Sequence, residues 1–150
     1  NLEKSMYSIG EVCKKLNLSV ETVYYYDREG LLPQIARDHG GRRQFTKDNI
    51  QVIQMILALR HAKVPVKRIQ QFLSWQSSDA NELNKCFEFL DQHETILTKQ
   101  IQSLTESLEY LKFKKWYYKL ANEVGLDKAH AIIHENNLNS ENYLPFKHQL

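Results

Sequence analysis

The side chains in this chain that could act on a partner are of the kind that grips phosphate and reads base edges. Thr22, Tyr25 and Arg28 fall at i, i+3 and i+6, a spacing that gathers a hydroxyl, a phenol and a guanidinium on one face of a helix. Ser19, Glu21 and Tyr24 are their neighbours on the same short segment. All six arginines, Arg28, Arg37, Arg42, Arg43, Arg60 and Arg68, stand in the first half of the 150 residues. A guanidinium is always charged and offers a rigid fork of donors that matches phosphate and guanine edges. Residues 1–75 hold twelve Lys and Arg against seven Asp and Glu, a balance of +5, whereas residues 76–150 stand at −3, so the net +2 conceals a divided chain. Chance asymmetry on a solvated surface is the blander alternative, but the bias coincides with the helical face just described.

Residues that make and break bonds are not arranged to do so. There is no Ser-His-Asp order, Gly-rich phosphate loop or paired carboxylate in a helical context, and an enzyme is not expected. His130 and His134 lie four apart, a chelating spacing, but no third ligand is near; polar surface is the expected role, and neither a metal nor another cofactor is expected. Two cysteines cannot make a disulfide framework and fit a reducing compartment. Cys13 is expected to be a buried, inert thiol. Cys86 lies near the start of a long helix beside Lys85, where a lowered pKa would make it a redox sensor as an alternative, but an unreactive thiol is the expected role. With no apolar run of membrane-spanning length and no signal-like opening segment, a cytoplasmic protein without a membrane partner is expected.

The elements that must position these residues begin at Tyr7. Ser8 stands three residues before Glu11, a capping-box start for a helix to about Leu16, which Asn17 and Leu18 break. Ser19 then caps a second helix with Val23 and Tyr26 facing inward, ended by Gly30 and Pro33. Such a helix-turn-helix lays the outer face of its second helix in the major groove. Asp38 to Gly41 carries the glycines of a hairpin turn, with short extended arms on both sides. Arg37, Arg42 and Arg43 would project from this wing and grip phosphate, a solvated loop being the alternative for Arg37. Thr46 caps a third helix with a stripe of Ile50, Ile53, Ile56 and Leu57, continuing to about Ala62. Pro65 opens a fourth, buried through Ile69, Phe72 and Leu73, with Lys63, Lys67 and Arg68 outside.

Ser74 to Ala80 reads as a linker. Beyond it Leu83, Leu90, Leu97, Leu104 and Leu111 recur every seven residues, with Phe87, Ile101 and Leu108 in the companion row and Glu94 interrupting it. This narrow stripe is expected to be a coiled-coil seam with a second copy of the chain, a helix folding back on its own domain being the alternative. The seam fades after Leu111 into Phe113, Trp116, Tyr117 and Tyr118 among lysines. Gly125 is expected to close the helix, leaving a short helix from Asp127 to about Glu135 and a polar, Asn-rich tail, with no second globular domain.

Ile9-Gly10-Glu11, Tyr25-Tyr26-Asp27-Arg28-Glu29-Gly30-Leu31-Leu32, Arg43 and Ala58-Leu59-Arg60 closely resemble the N-terminal domain of the mercury-resistance-regulator (MerR) family of transcription factors, and the likeness runs from Tyr7 to near Trp116. The resemblance implies a mostly α chain: a winged helix-turn-helix DNA-binding domain over 1–75, a dimerisation helix over 76–118 forming an antiparallel coiled coil, and a short C-terminal helix and tail over 119–150. It resembles the short members, which lack an appended effector domain. DNA-contacting residues would be Ser19, Glu21, Thr22, Tyr24, Tyr25, Arg28, Arg37, Arg42, Arg43, Arg60 and Lys63. The function implied is homodimeric control of a promoter by distorting an overlong spacer, so that double-stranded promoter DNA is the direct partner and RNA polymerase an indirect one. Where the family usually has Tyr in the wing this chain has Arg42, and where it has a capping Ser this chain has Pro65.

Two other functions compete. A coiled-coil adaptor with a basic nucleic-acid-binding head would differ by lacking sequence-specific duplex binding, and RNA readers usually stack bases on a sheet, whereas these tyrosines are helical. A small-molecule effector could be sensed in an aromatic pocket of Trp75, Trp116, Tyr117 and Tyr118, with plain hydrophobic packing as the alternative.

Overall fold

The computed structural model describes residues 4–76 and 79–147. Asn1 to Glu3, the linker residues Ser77 and Ser78, and the last three residues lie outside them. The described residues fall into two compact units, divided between His93 and Glu94, both carrying part of one long helix.

The first unit opens with α1 (Ile9–Leu16) and α2 (Val20–Arg28). Ser8 Oγ accepts from the Glu11 amide at 3.1 Å and the Glu11 carboxylate accepts from the Ser8 amide at 3.2 Å, so both halves of the expected box form. The Lys4 ammonium on Glu11, then the Ser8 amide, hold that carboxyl below its usual pKa. Asn17 turns left-handed (φ 54°), Leu18 bonds back to the Cys13 carbonyl at 2.9 Å, and Ser19 starts α2. Gly30 (φ 70°) ends α2 in a Schellman motif: its amide reaches the Asp27 carbonyl, the Leu31 amide reaches that of Tyr26, and Tyr26 and Leu31 are buried together.

A two-stranded antiparallel wing follows, β1 (Ala36–Arg37) against β2 (Arg43–Gln44), with Arg37 opposite Arg43. Asp38 Oδ1 accepts from the amides of Gly40 and Arg42, each at 2.9 Å, which shapes the turn. Beyond β2, Tyr7 and Phe45 exchange two backbone bonds of 2.8 Å, tying the wing to the segment before α1. Next come α3 (Lys47–His61) and α4 (Val66–Ser74). Thr46 and Asn49 form a second capping box, a partner the sequence reading did not include.

Two apolar clusters make the core of this unit. Val12, Cys13, Val23, Phe45, Ile50 and Ile53 form one. Tyr26, Leu31, Ile56, Leu59, Val64, Ile69, Phe72 and Phe89 form the other. Helix α3 supplies both, and Leu59, absent from the expected stripe, is buried while Leu57 is only half-buried. The 15-residue α3 drifts round its axis, so one row cannot face the core throughout. Phe89 comes from α5 (Ala80–Val124) and stacks on Phe72 at 5.1 Å, with Trp75 and His93 rings at 6.1 and 4.4 Å and the Arg68 guanidinium 5.3 Å over its face. The first turns of the long helix are therefore part of the head's core.

In the second unit the long helix continues to Val124, where Gly125 is expected to close it. Gly125 (φ 90°) turns the chain into α6 (Leu126–Glu135), and α7 (Leu144–Lys147) follows. Phe113, Trp116, Leu120, Ala129, Leu138 and Tyr143 form a third core. The expected polar tail is thus a folded one. Its asparagines organise backbone: Asn139 Oδ1 accepts from the Glu141 amide at 2.8 Å, Asn142 Oδ1 from the Asn139 amide at 2.7 Å, and Asn142 Nδ2 donates to the Asn137 carbonyl at 3.1 Å. These bonds bring Leu138 and Tyr143 onto the helix.

Candidate nucleic-acid interface

Helix α2, with its cap, holds most of the residues expected to read DNA. Ser19 accepts from the Thr22 amide at 3.2 Å and its Oγ lies 2.8 Å from Thr22 Oγ1, so cap and candidate base-reading hydroxyl are linked. Ser19, Glu21, Tyr24 and Arg28 are exposed and Thr22 is half-buried. Tyr25 departs from expectation. It is half-buried against the Tyr26 cluster, its ring 5.9 Å from that of Tyr26, because the inner face of α2 is wide enough to take part of it.

The wing arginines differ from one another. Arg37 folds over the turn, donating to the Gly41 carbonyl at 2.7 Å. Arg42 is 85% exposed, with only a loose 3.8 Å approach to Asp38. Arg43 does not project: its guanidinium donates to Asp27 Oδ2 at 2.8 Å, lies 4.7 Å from the Tyr24 ring centroid, and is 20% exposed. A carboxylate and an aromatic face on α2 together outcompete solvent for it. Ser8, Tyr24, Arg37, Arg42, Arg43 and Gln44 line a shallow groove between wing and helices.

At the far end of α3, Arg60 donates to the Val64 carbonyl at 3.1 Å and is half-buried. Burial pushes the nearby Tyr26 phenol up, and the Arg60 charge offsets part of that rise. Lys63 is exposed and left-handed (φ 65°), filling the position where Gly30 ends α2. Sequence reading marked its charge but not this backbone. An L-residue there costs about 1–2 kcal/mol, while glycine carries more unfolded-state entropy. Lys63→Gly is accordingly expected to shift stability by less than about 1 kcal/mol while lowering the salt dependence of DNA binding by about 0.9 in log–log slope for each bound head. Thermal unfolding and a KCl titration check it; an unchanged slope would remove Lys63 from the phosphate contacts.

The seam residues Leu83, Phe87, Leu90, Leu97, Ile101, Leu104, Leu108 and Leu111 are all exposed in the single chain, between 36% and 70%. Tyr118, seven residues beyond Leu111, is exposed too and extends the same row. Its ring and that of Tyr117 lie under the Lys114 ammonium, at 5.6 and 4.6 Å. Trp116 does not line an open aromatic pocket: Tyr143 and Phe113 pack on it at 5.2 and 6.1 Å.

The Cys86 thiol pKa is raised, which agrees with an unreactive thiol and speaks against the redox-sensor alternative. Cys86 packs half-buried against the head core, and burial first, then the Glu82 charge, raises its pKa. It stands past the first turn of α5, where the dipole's effect has faded. Cys13 is buried and raised likewise, by burial and then by Glu21. Alkylation of Cys86 is expected to accelerate only above the pH at which a free thiol titrates, measured as iodoacetamide rate against pH in a Cys13→Ala chain; a midpoint below that of free cysteine would contradict the assignment. Among the described residues no group of three His, Cys, Asp or Glu could hold a metal, and no helix is long and apolar enough to cross a membrane.

Comparison with known proteins agrees with this geometry. Residues 7–75 match the model of the MerR HTH family regulatory protein. The chain is 27% identical over 123 residues to an uncharacterized HTH-type transcriptional regulator of Haemophilus influenzae, covering 82% of this chain and 91% of that protein. Among solved structures it resembles HiNmlR, a MerR family regulator lacking the sensor domain and bound to promoter DNA, with TM-score 0.79, 25% identity, and coverage of 83% of this chain and 95% of that one. It also resembles a MerR family regulator from Bacillus thuringiensis, with TM-score 0.66, 28% identity, and coverage of 73% and 96%. With its capped helix-turn-helix, its two-stranded wing and its long helix, the chain carries a MerR-type helix-turn-helix domain over residues 7–75 and is similar along most of its length to MerR family regulators.

Proposed function

We propose that the chain binds promoter DNA as a homodimer and controls transcription by distorting the duplex. The observation that carries this is the pairing, in one chain, of a basic helix-turn-helix head with a heptad stripe left exposed on the long helix. Leu83 to Leu111 spans 28 residues, about 42 Å at 1.5 Å per residue. In an antiparallel pair Leu97 meets its own copy, Leu90 meets Leu104, and Leu83 meets Leu111, which sets the two reading heads more than one turn of duplex apart. Half-sites are then about two turns apart, and bringing both onto the heads requires bending or undertwisting, at a cost on the order of 1–6 kcal/mol. Arg28, Arg42 and Lys63 supply phosphate contacts, and Thr22 and its neighbours on α2 read base edges. RNA polymerase is affected indirectly, through realigned promoter elements.

The same fold without sequence specificity would be an adaptor. Selection of bound duplexes from a random library separates the two. A recovered palindrome whose half-sites are blurred by Thr22→Ala is the expected result, and recovery of unrelated sequences would leave only the adaptor.

A further inference from the structure

We propose that Asp27 is a positioning residue of the DNA-reading surface: by holding Arg43 it locks the wing to α2 and sets the Tyr24 ring, so that Arg43 acts as an internal strut and touches no phosphate. The assignment rests on the head being a duplex binder. Three observations converge on it. The Asp27–Arg43 bond is 2.8 Å and joins elements sixteen residues apart in sequence. The same guanidinium lies 4.7 Å from the centroid of Tyr24, an exposed residue on α2. Arg43 itself sits in β2, whose continuation at Phe45 is bonded to Tyr7 ahead of α1. One side chain thus couples wing, reading helix and the groove between them. Paired so closely, Arg43 presents little net charge to a polyanion and displaces few counterions, whereas Arg42 beside it is open to solvent.

A phosphate contact and a strut predict opposite signs for the same substitution. Asp27→Asn removes a negative charge near DNA, so if Arg43 were a phosphate contact, freeing it would tighten binding. If Arg43 is a strut, its release unseats the wing and Tyr24 and binding weakens. The test is a KCl series with the full chain and a mixed-sequence duplex, with circular dichroism and thermal unfolding as fold controls. Asp27→Asn is expected to bind about fivefold more weakly with an unchanged slope. Arg43→Lys should lose as much, because an ammonium keeps the charge but cannot both serve Asp27 and lie flat against Tyr24. The double variant should be no worse than either single one. Tighter binding by Asp27→Asn, or an Arg43→Ala slope lower by about 0.9, would overturn the assignment. A wild-type chain that fails to bind any duplex would overturn it too, and with it the proposed function, whereas tight wild-type binding with a tighter Asp27→Asn spares the function and removes only the strut.

Discussion

A chain carrying Leu97→Lys is expected to sediment as a monomer at concentrations where the wild type, on the proposed function, is a dimer, and to lose operator binding while its head still melts cooperatively. Leu97 lies at the centre of the exposed stripe. In an antiparallel pair the substitution removes two buried leucines, about 1.5–3 kcal/mol each, and faces two ammonium groups across the two-fold axis, where burial and like charge both oppose assembly. Each head would then bind its half-site alone, and the loss of linkage between the two events should cost on the order of a hundredfold or more in operator affinity. Analytical ultracentrifugation and a binding titration read the two effects separately. A Leu97→Lys chain that remains dimeric would place the interface elsewhere.

Phe89→Ala is expected to have the largest effect on the fold. The ring is 3% exposed and closes the head core among Phe72, Trp75, His93 and Arg68. Truncating it should cost about 3–5 kcal/mol, since the surrounding rings cannot collapse fully into the space. That is a large part of the total stability of a small domain, about 5–15 kcal/mol. Urea unfolding in the monomeric Leu97→Lys background, followed by tryptophan fluorescence, measures it, with Phe87→Ala as control: Phe87 is on the exposed stripe, so the monomer should lose little. Equal losses at 87 and 89 would mean that Phe89 is not the residue seating the long helix in the core.

These two phenylalanines also mark what could be read in advance. Phe87 belongs to a period of seven and announces itself; Phe89 is two residues on and only a tertiary contact with Phe72 shows its purpose. Features set by residues three or four apart were legible, because the physics is local: the Ser8–Glu11 box, the Ser19 cap, the Gly30 stop, the wing turn. The Arg43–Asp27 bond was not, since it joins a strand to a helix across sixteen positions and no periodicity connects them. For the same reason the sequence positions of Arg37, Arg42 and Arg43 did not show which of them the fold ties down. The tail misled through composition. Asn137, Asn139 and Asn142 are polar, but they are spent on turns that deliver Leu138 and Tyr143 to the long helix. For Cys86 the proximity to a helix start left a thiolate open as an alternative, and packing against the core speaks against it.

The most direct test of promoter control by a distorting dimer is a structure, by crystallography or by solution scattering with labelled duplex ends, of the chain on the palindrome recovered by selection. Antiparallel long helices crossing at Leu97, with α2 of each copy in major grooves about two turns apart on a bent or undertwisted duplex, are the expected result. Parallel helices, or half-sites one turn apart on straight DNA, would contradict it.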